Sequence, residues 1–172
     1  MKRIESVIDH ELTWTQLSAF KNTYELRFGG ELVGTLHFPK LMSTIAMVES
    51  GDGKWTFERI GFFKSRIAVR SDRAETELGS FRNSAWKAGG ILELPDGRKF
   101  VAARRVWKGI LEFRNESGAL LFQLQSKGVF RFSASVRFNR VALQVKELPW
   151  MAYLAFYVAV MARRDAATHA AT

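Results

Sequence analysis

Hydrophobic side chains recur at every second position over most of the chain, the spacing at which successive residues of a strand fall on opposite faces. Over residues 130–138, Phe130, Phe132, Ala134, Val136 and Phe138 alternate with Arg131, Ser133, Ser135 and Arg137, which predicts a half-buried antiparallel strand. Tyr24, Leu26 and Phe28 against Glu25 and Arg27 repeat the scheme. So do Trp107, Leu111 and Phe113 against Lys108, Glu112 and Arg114. Gly29-Gly30, Gly51-Asp52-Gly53, Gly89-Gly90, Asp96-Gly97 and Asn115-Glu116-Ser117-Gly118 punctuate these runs and read as hairpin turns. Counting runs between turns gives about twelve strands. Closing that many antiparallel strands on themselves removes exposed edges, so the pattern predicts an all-β closed barrel. No Ser/Pro/Gly-rich stretch divides the chain, and residues 1–172 read as one domain.

The alternation stops near the C-terminus. Residues 148–162 read LPWMAYLAFYVAVMA, with 14 of 15 positions apolar and none charged, followed by Arg163, Arg164 and Asp165. Pro149 suits a first helical turn, and the arginines suit the negative end of a helix dipole, so a helix is predicted near 148–164. A helix apolar on every side must be buried on every side. At about 1.5 Å per residue it reaches about 22 Å, short of a hydrocarbon core of about 30 Å. The expectation is a helix along the barrel axis with no transmembrane span; a short tail anchor and burial against a partner are the alternatives.

Composition narrows the function classes. The 172 residues include no cysteine, which removes disulfide scaffolds, cysteine nucleophiles and thiolate metal sites and fits a reducing compartment. The charged opening residues carry no apolar stretch of the secretory type, so the expected location is cytoplasmic. The 26 Lys and Arg exceed the 17 Asp and Glu by the formal net charge of +9. Residues 98–146 hold 11 of the basic residues against Glu112 and Glu116 alone. A concentrated positive field attracts polyanions: nucleic acid, an anionic membrane or a phosphorylated ligand.

The order of short strands followed by one apolar helix resembles the tubby-like superfamily, which includes tubby proteins, phospholipid scramblases and LURP-one-related proteins. Tyr24-Glu25-Leu26-Arg27-Phe28 with Gly34-Thr35-Leu36, then residues 55–61 (WTFERIG), then Gly90-Ile91-Leu92-Glu93-Leu94 with Asp96-Gly97-Arg98, are similar to its opening hairpins and mid-barrel turns. The resemblance spans roughly residues 20–162 and implies a barrel wound around a central hydrophobic helix. In tubby proteins a Gly-Lys-x-Arg segment holds a phosphoinositide headgroup. The similar piece here is Gly79-Ser80-Phe81-Arg82, which carries over Arg82 but has Ser80 at the lysine position. The acidic calcium-binding stretch of scramblases has a basic counterpart here, so calcium dependence is not implied.

Candidate chemistry is therefore anion binding through guanidinium forks. Arg104, Arg105 and Lys108 cluster around Trp107, an aromatic suited to an interface or to stacking on a base; Arg98 and Lys99 precede them. Neighbours on a strand point opposite ways, so Arg104 and Arg105 reach one ligand only from a turn. Arg131, Arg137 and Arg140 read as a surface stripe about 20 Å long. Catalytic signals are absent: His10, His37 and His169 are scattered, and no metal-ligand spacing, nucleophile elbow or glycine-rich phosphate loop occurs. No catalytic residue, metal or cofactor is expected. The sequence thus predicts a non-enzymatic module for an anionic ligand, foremost a phospholipid or phosphoinositide headgroup at the inner membrane face. Nucleic-acid binding by residues 98–146 and a ligand-free interaction scaffold are the rival readings. Oligomeric state is left open.

Overall fold

The computed structural model describes residues 1–18, 21–61, 64–84, 89–128 and 131–171. Six strands form its first half: β1 (Leu12–Gln16), β2 (Thr23–Phe28), β3 (Glu31–His37), β4 (Ile45–Ser50), β5 (Lys54–Ile60) and β6 (Arg66–Ser71). Six more follow: β7 (Ala74–Ser84), β8 (Gly89–Glu93), β9 (Lys99–Arg105), β10 (Ile110–Asn115), β11 (Leu120–Lys127) and β12 (Ser133–Phe138). Each pairs antiparallel with its chain neighbours, and β1 closes the ring on β12 with Leu12 opposite Val136 and Trp14 opposite Ala134. Among the described residues closure leaves no strand without neighbours on both sides, as the alternating pattern predicted.

Alternation sorts the side chains. In β2, Tyr24 and Leu26 are buried while Arg27 lies outside and bonds Glu25 at 2.7 Å. In β12, Ala134 and Val136 face inward and Arg137 is exposed. That strand starts at Ser133, later than predicted; Phe130 lies outside the described residues, and Arg131 precedes the strand.

The interior is filled by α1 (Leu148–Ala170). Its Leu148, Trp150–Val158, Val160 and Met161 are buried, and their neighbours come from around the ring. Phe156 stacks on Trp14 of β1 with ring centroids 4.1 Å apart, and also meets Tyr24 of β2 and Phe132. Tyr153 sits between Trp14 and Trp55 of β5, and Tyr157 between Phe57 and Phe38. Each such aromatic pair adds about 0.5–1.5 kcal/mol beyond the area it buries. Glycine makes room where the wall comes closest: a Cβ on Gly34 would stand 2.2 Å from the Tyr153 hydroxyl and 2.8 Å from the Glu49 carbonyl oxygen.

Three local expectations change. The helix continues to Ala170 rather than stopping near 164, because residues 166–170 (AATHA) are rich in alanine, the strongest helix former. Gly89-Gly90 starts β8 instead of making a turn; a Cβ on Gly89 would lie 2.0 Å from the Ala102 carbonyl oxygen, so its bareness serves close strand packing. Trp107 is on no strand: Val106–Lys108 form a 3-10 turn ended by Gly109 at φ +63°, which interrupts the parity leading to Leu111.

Consecutive antiparallel strands send alternate connections to opposite ends. One end receives the N-terminal segment and the start of α1, and is closed by Ile4, Val7 and Ile8 together with the turn at Arg140–Gln144. From the other end α1 emerges, held by the Tyr157 hydroxyl donating to the Thr44 carbonyl and by Arg164 donating to the Ser43 carbonyl at 2.9 Å.

Two substitutions test this core. Ala155→Asp places an unpaired charge at a fully buried site, which costs several kcal/mol, and we expect no cooperative thermal transition by circular dichroism. Gly34→Ala should leave the fold intact but lower its unfolding free energy by about 1–3 kcal/mol in a urea titration, the usual cost of overpacking.

Candidate anion-binding face

The predicted basic stretch does not remain one patch. Arg98 lies at the closed end, where its guanidinium donates to both carboxylate oxygens of Glu147, just before α1, and to Asp96 at 2.9 Å. Its hydrogen bonds to the carboxylates of Glu147 and then Asp96 raise its pKa. Arg137 pairs with Glu11, and Arg140 donates to Asp9 at 2.9 and 3.0 Å. The expected stripe of Arg131, Arg137 and Arg140 is thereby dissolved: Arg137 and Arg140 are bound to acids at the closed end, while Arg131 belongs to the connection at the open end.

Arg82 of β7 and Lys99 of β9 come together on the outer wall, lining a groove of about 580 Å³ with Ser80 and Asn83. Glu77 and Glu93 line it too, so the groove mixes signs.

The open end differs. Among the described residues of its connections stand Lys21, Lys40, Lys64, Lys108 and Arg131, all exposed, with no Asp or Glu. Arg105 and Lys127 end the strands that border two of these connections. Around the closed end, residues 1–11, the even-numbered connections and the segment before α1 hold acids and bases together, Asp9, Glu11, Asp52, Asp96 and Glu147 among them. Charge is thus polarised along the barrel axis.

Arg104 and Arg105 are both on β9 and point opposite ways. Arg105 is exposed and within 3.9 Å of Glu112. Arg104 continues the inward set of Phe100 and Ala102, opposite Leu111, and reaches the open end beside α1. It has no hydrogen-bond or ion-pair partner among the described residues, and burial alone lowers its pKa while the guanidinium stays charged. Two cavities flank it. One, of about 350 Å³, is lined by Lys127, Ser126 and Arg163; the other, of about 300 Å³, by Arg59, Asn83 and Asp165. Two of their other cations have structural work: Arg59 bonds Asp165 at 2.8 Å, and Arg163 donates to the Gly128 carbonyl and lies over Phe132. A half-buried cation without an acid offers an anion a charge-assisted hydrogen bond at little reorganisation.

Trp107 is fully exposed at the tip of the 3-10 turn, beside Lys108. Sequence reasoning singled out this turn but missed Lys21, Lys40 and Lys64, which reach the same end from distant stretches. Grouping alternate turns by parity would have found them. Among the described residues, no group of three or more acidic or histidine side chains could hold a metal ion, and no helix is long and apolar enough to cross a membrane.

An X-ray structure of a protein from Arabidopsis thaliana is similar to this chain with a TM-score of 0.59, covering 94% of this chain and 95% of that one at 15% sequence identity. The likeness is one of fold at a distance. No family profile and no curated protein matches the chain in sequence.

Arg98 and Arg104 should respond oppositely to truncation. Arg98→Ala strips Glu147, a nearly buried carboxylate, of its main partner and should lower the melting temperature. Arg104→Met removes a desolvated, unpartnered cation and should raise it, the pattern of a residue kept for binding at the expense of stability. Differential scanning calorimetry on both variants checks the signs.

Proposed function

We propose that this chain is a tubby-like, LURP-one-related binding module, non-enzymatic, whose ligand is the anionic headgroup of a phospholipid or phosphoinositide at the inner membrane face. The observation that carries the reading is Arg104, a half-buried cation bonded to no acid among the described residues, set between two cavities at a barrel end whose described connections bear cations and no carboxylate. The distant fold likeness to the Arabidopsis protein and the sequence resemblance support the family assignment. A headgroup phosphate fits the chemistry: a guanidinium donates two parallel hydrogen bonds to its oxygens, and Lys127 adds a mobile point charge. Lysines and arginines near an anionic membrane contribute about 1 kcal/mol each, so the exposed cations of this end together sustain peripheral association. The groove around Arg82 and Lys99 is the second place for such a group, weakened by Glu77 and Glu93.

Flotation with phosphatidylcholine vesicles containing increasing phosphatidylserine or phosphoinositide tests the reading. Binding should rise with anionic content, fall with salt and weaken for Arg104→Gln. Equal binding to neutral and anionic vesicles would overturn it. Trp107 beside Lys108 and Arg105 also suits a base-stacking platform. A steeply salt-dependent affinity for single-stranded oligonucleotides, lost in Trp107→Ala with no vesicle binding, would replace the lipid by nucleic acid.

A further inference from the structure

The open end carries a second kind of side chain that headgroup recognition does not need. Among the described residues, the four most exposed large apolar side chains are Trp107 at 101%, Met42 at 83%, Leu41 at 68% and Val106 at 65%. All four lie in connections at this one end. Leu41 and Met42 occupy the β3–β4 connection, and Val106 and Trp107 the β9–β10 turn. In a ring of twelve strands these hairpins are six strands apart, on opposite sides of the emerging helix.

We propose that the open end is a membrane-docking face: the two apolar tips enter the interfacial layer of an anionic bilayer on either side of α1, with the barrel axis along the membrane normal. The inference rests on the headgroup reading and adds to it the surface, the depth and the orientation.

Three features favour a bilayer over a folded partner. Apolar tips on opposite sides of the rim, with Lys40 next to one and Lys108 next to the other, match a flat fluid surface that admits each tip independently; a rigid protein would need two pockets at a fixed spacing. Tryptophan is the side chain best suited to the interface, with an apolar body and one N–H donor. The charge is complementary, since the described connections of this end bring lysine and arginine without a single carboxylate to repel lipid phosphates. The projecting end of α1 does not obstruct the approach. Residues 166–170 are exposed and contain no Lys, Arg, Asp or Glu, and they rise about 8 Å at about 1.5 Å per residue. Interfacial elements lie about 5–10 Å deep, and a helix arrives there with its backbone already hydrogen-bonded.

Because the chain has no cysteine, single-cysteine variants accept one environment-sensitive dye each. Met42→Cys and Trp107→Cys probe the two tips, Met47→Cys the outer wall of β4, and Leu143→Cys the closed end. On phosphatidylcholine–phosphatidylserine vesicles, dyes at 42 and 107 should brighten and shift to the blue while those at 47 and 143 stay unchanged. Unlabelled Trp107→Ala should bind these vesicles about tenfold more weakly, as expected for one interfacial side chain, with its melting temperature unaltered. Arg104-dependent flotation with silent dyes at 42 and 107, or with equal responses at all four sites, overturns the docking geometry and leaves headgroup binding standing. Dye responses at the tips on neutral and anionic vesicles alike, indifferent to Arg104→Gln, keep the docking and overturn headgroup recognition. No flotation at all overturns both, and a response of the 107 dye to oligonucleotides alone assigns the face to nucleic acid.

Discussion

The structure is governed by the need to bury a helix that is apolar on every side. No single sheet face can cover such a helix; a closed ring of strands can, provided that every strand turns a hydrophobic face inward. The aromatic collar around Tyr153, Phe156 and Tyr157 meets that condition, and Gly34 marks where the wall leaves no room for a Cβ unless its neighbours shift. The same burial makes the two ends of the barrel unlike. Where α1 starts, the N-terminal segment packs Ile4, Val7 and Ile8 over the opening and Arg98 clamps Glu147. Where α1 leaves, the chain itself must pass through, so inward positions at that rim border solvent and one of them holds Arg104.

Electrostatics follow from the meander. An antiparallel ring distributes its connections alternately, so two residues adjacent in a charge count lie at opposite ends whenever a strand separates them. Arg98 just before β9 and Arg105 at its last position are separated in this way: the first is spent on Asp96 and Glu147, and the second adds to the cationic rim. At that rim Arg163 and Arg164 add their positive charge while bonding the carbonyls of Gly128 and Ser43. The α1 terminus lies beyond it, since the helix continues to Ala170 and the dipole acts only within about the last turn.

This explains what was legible in the chain. Strand alternation and the apolar run at 148–162 each depend on neighbours in sequence, so period two gave the wall and the all-round hydrophobicity gave the axial helix. Charge placement depends on which end a turn occupies, and counting along residues 98–146 mixed Arg104 and Lys108 with Arg98, Arg137 and Arg140, whose partners Glu147, Glu11 and Asp9 lie up to 131 positions away. Trp107 misled for a local reason: its odd position matched Leu111 and Phe113, but the left-handed Gly109 between them breaks the strand. Arg104 stands among the candidates with no face assigned to it relative to Arg105, and strand parity from Phe100 and Ala102 puts it inside.

Parity also decides between the two places where candidate cations converge. On the wall, Arg82 and Lys99 share their groove with Glu77 and Glu93, and an arriving phosphate would meet repulsion as well as attraction from side chains among which both cations are exposed and their charge screened. At the rim, Arg104 is already partly dehydrated by β9, β10 and α1, and the described residues supply no acid to compensate it. Removing water from a cation is a cost borne by the fold whether or not a ligand is present. An anion that then takes the site recovers that interaction at lower dielectric than the wall offers. The asymmetry that the buried helix forces on the barrel therefore concentrates binding potential at the end from which the helix leaves.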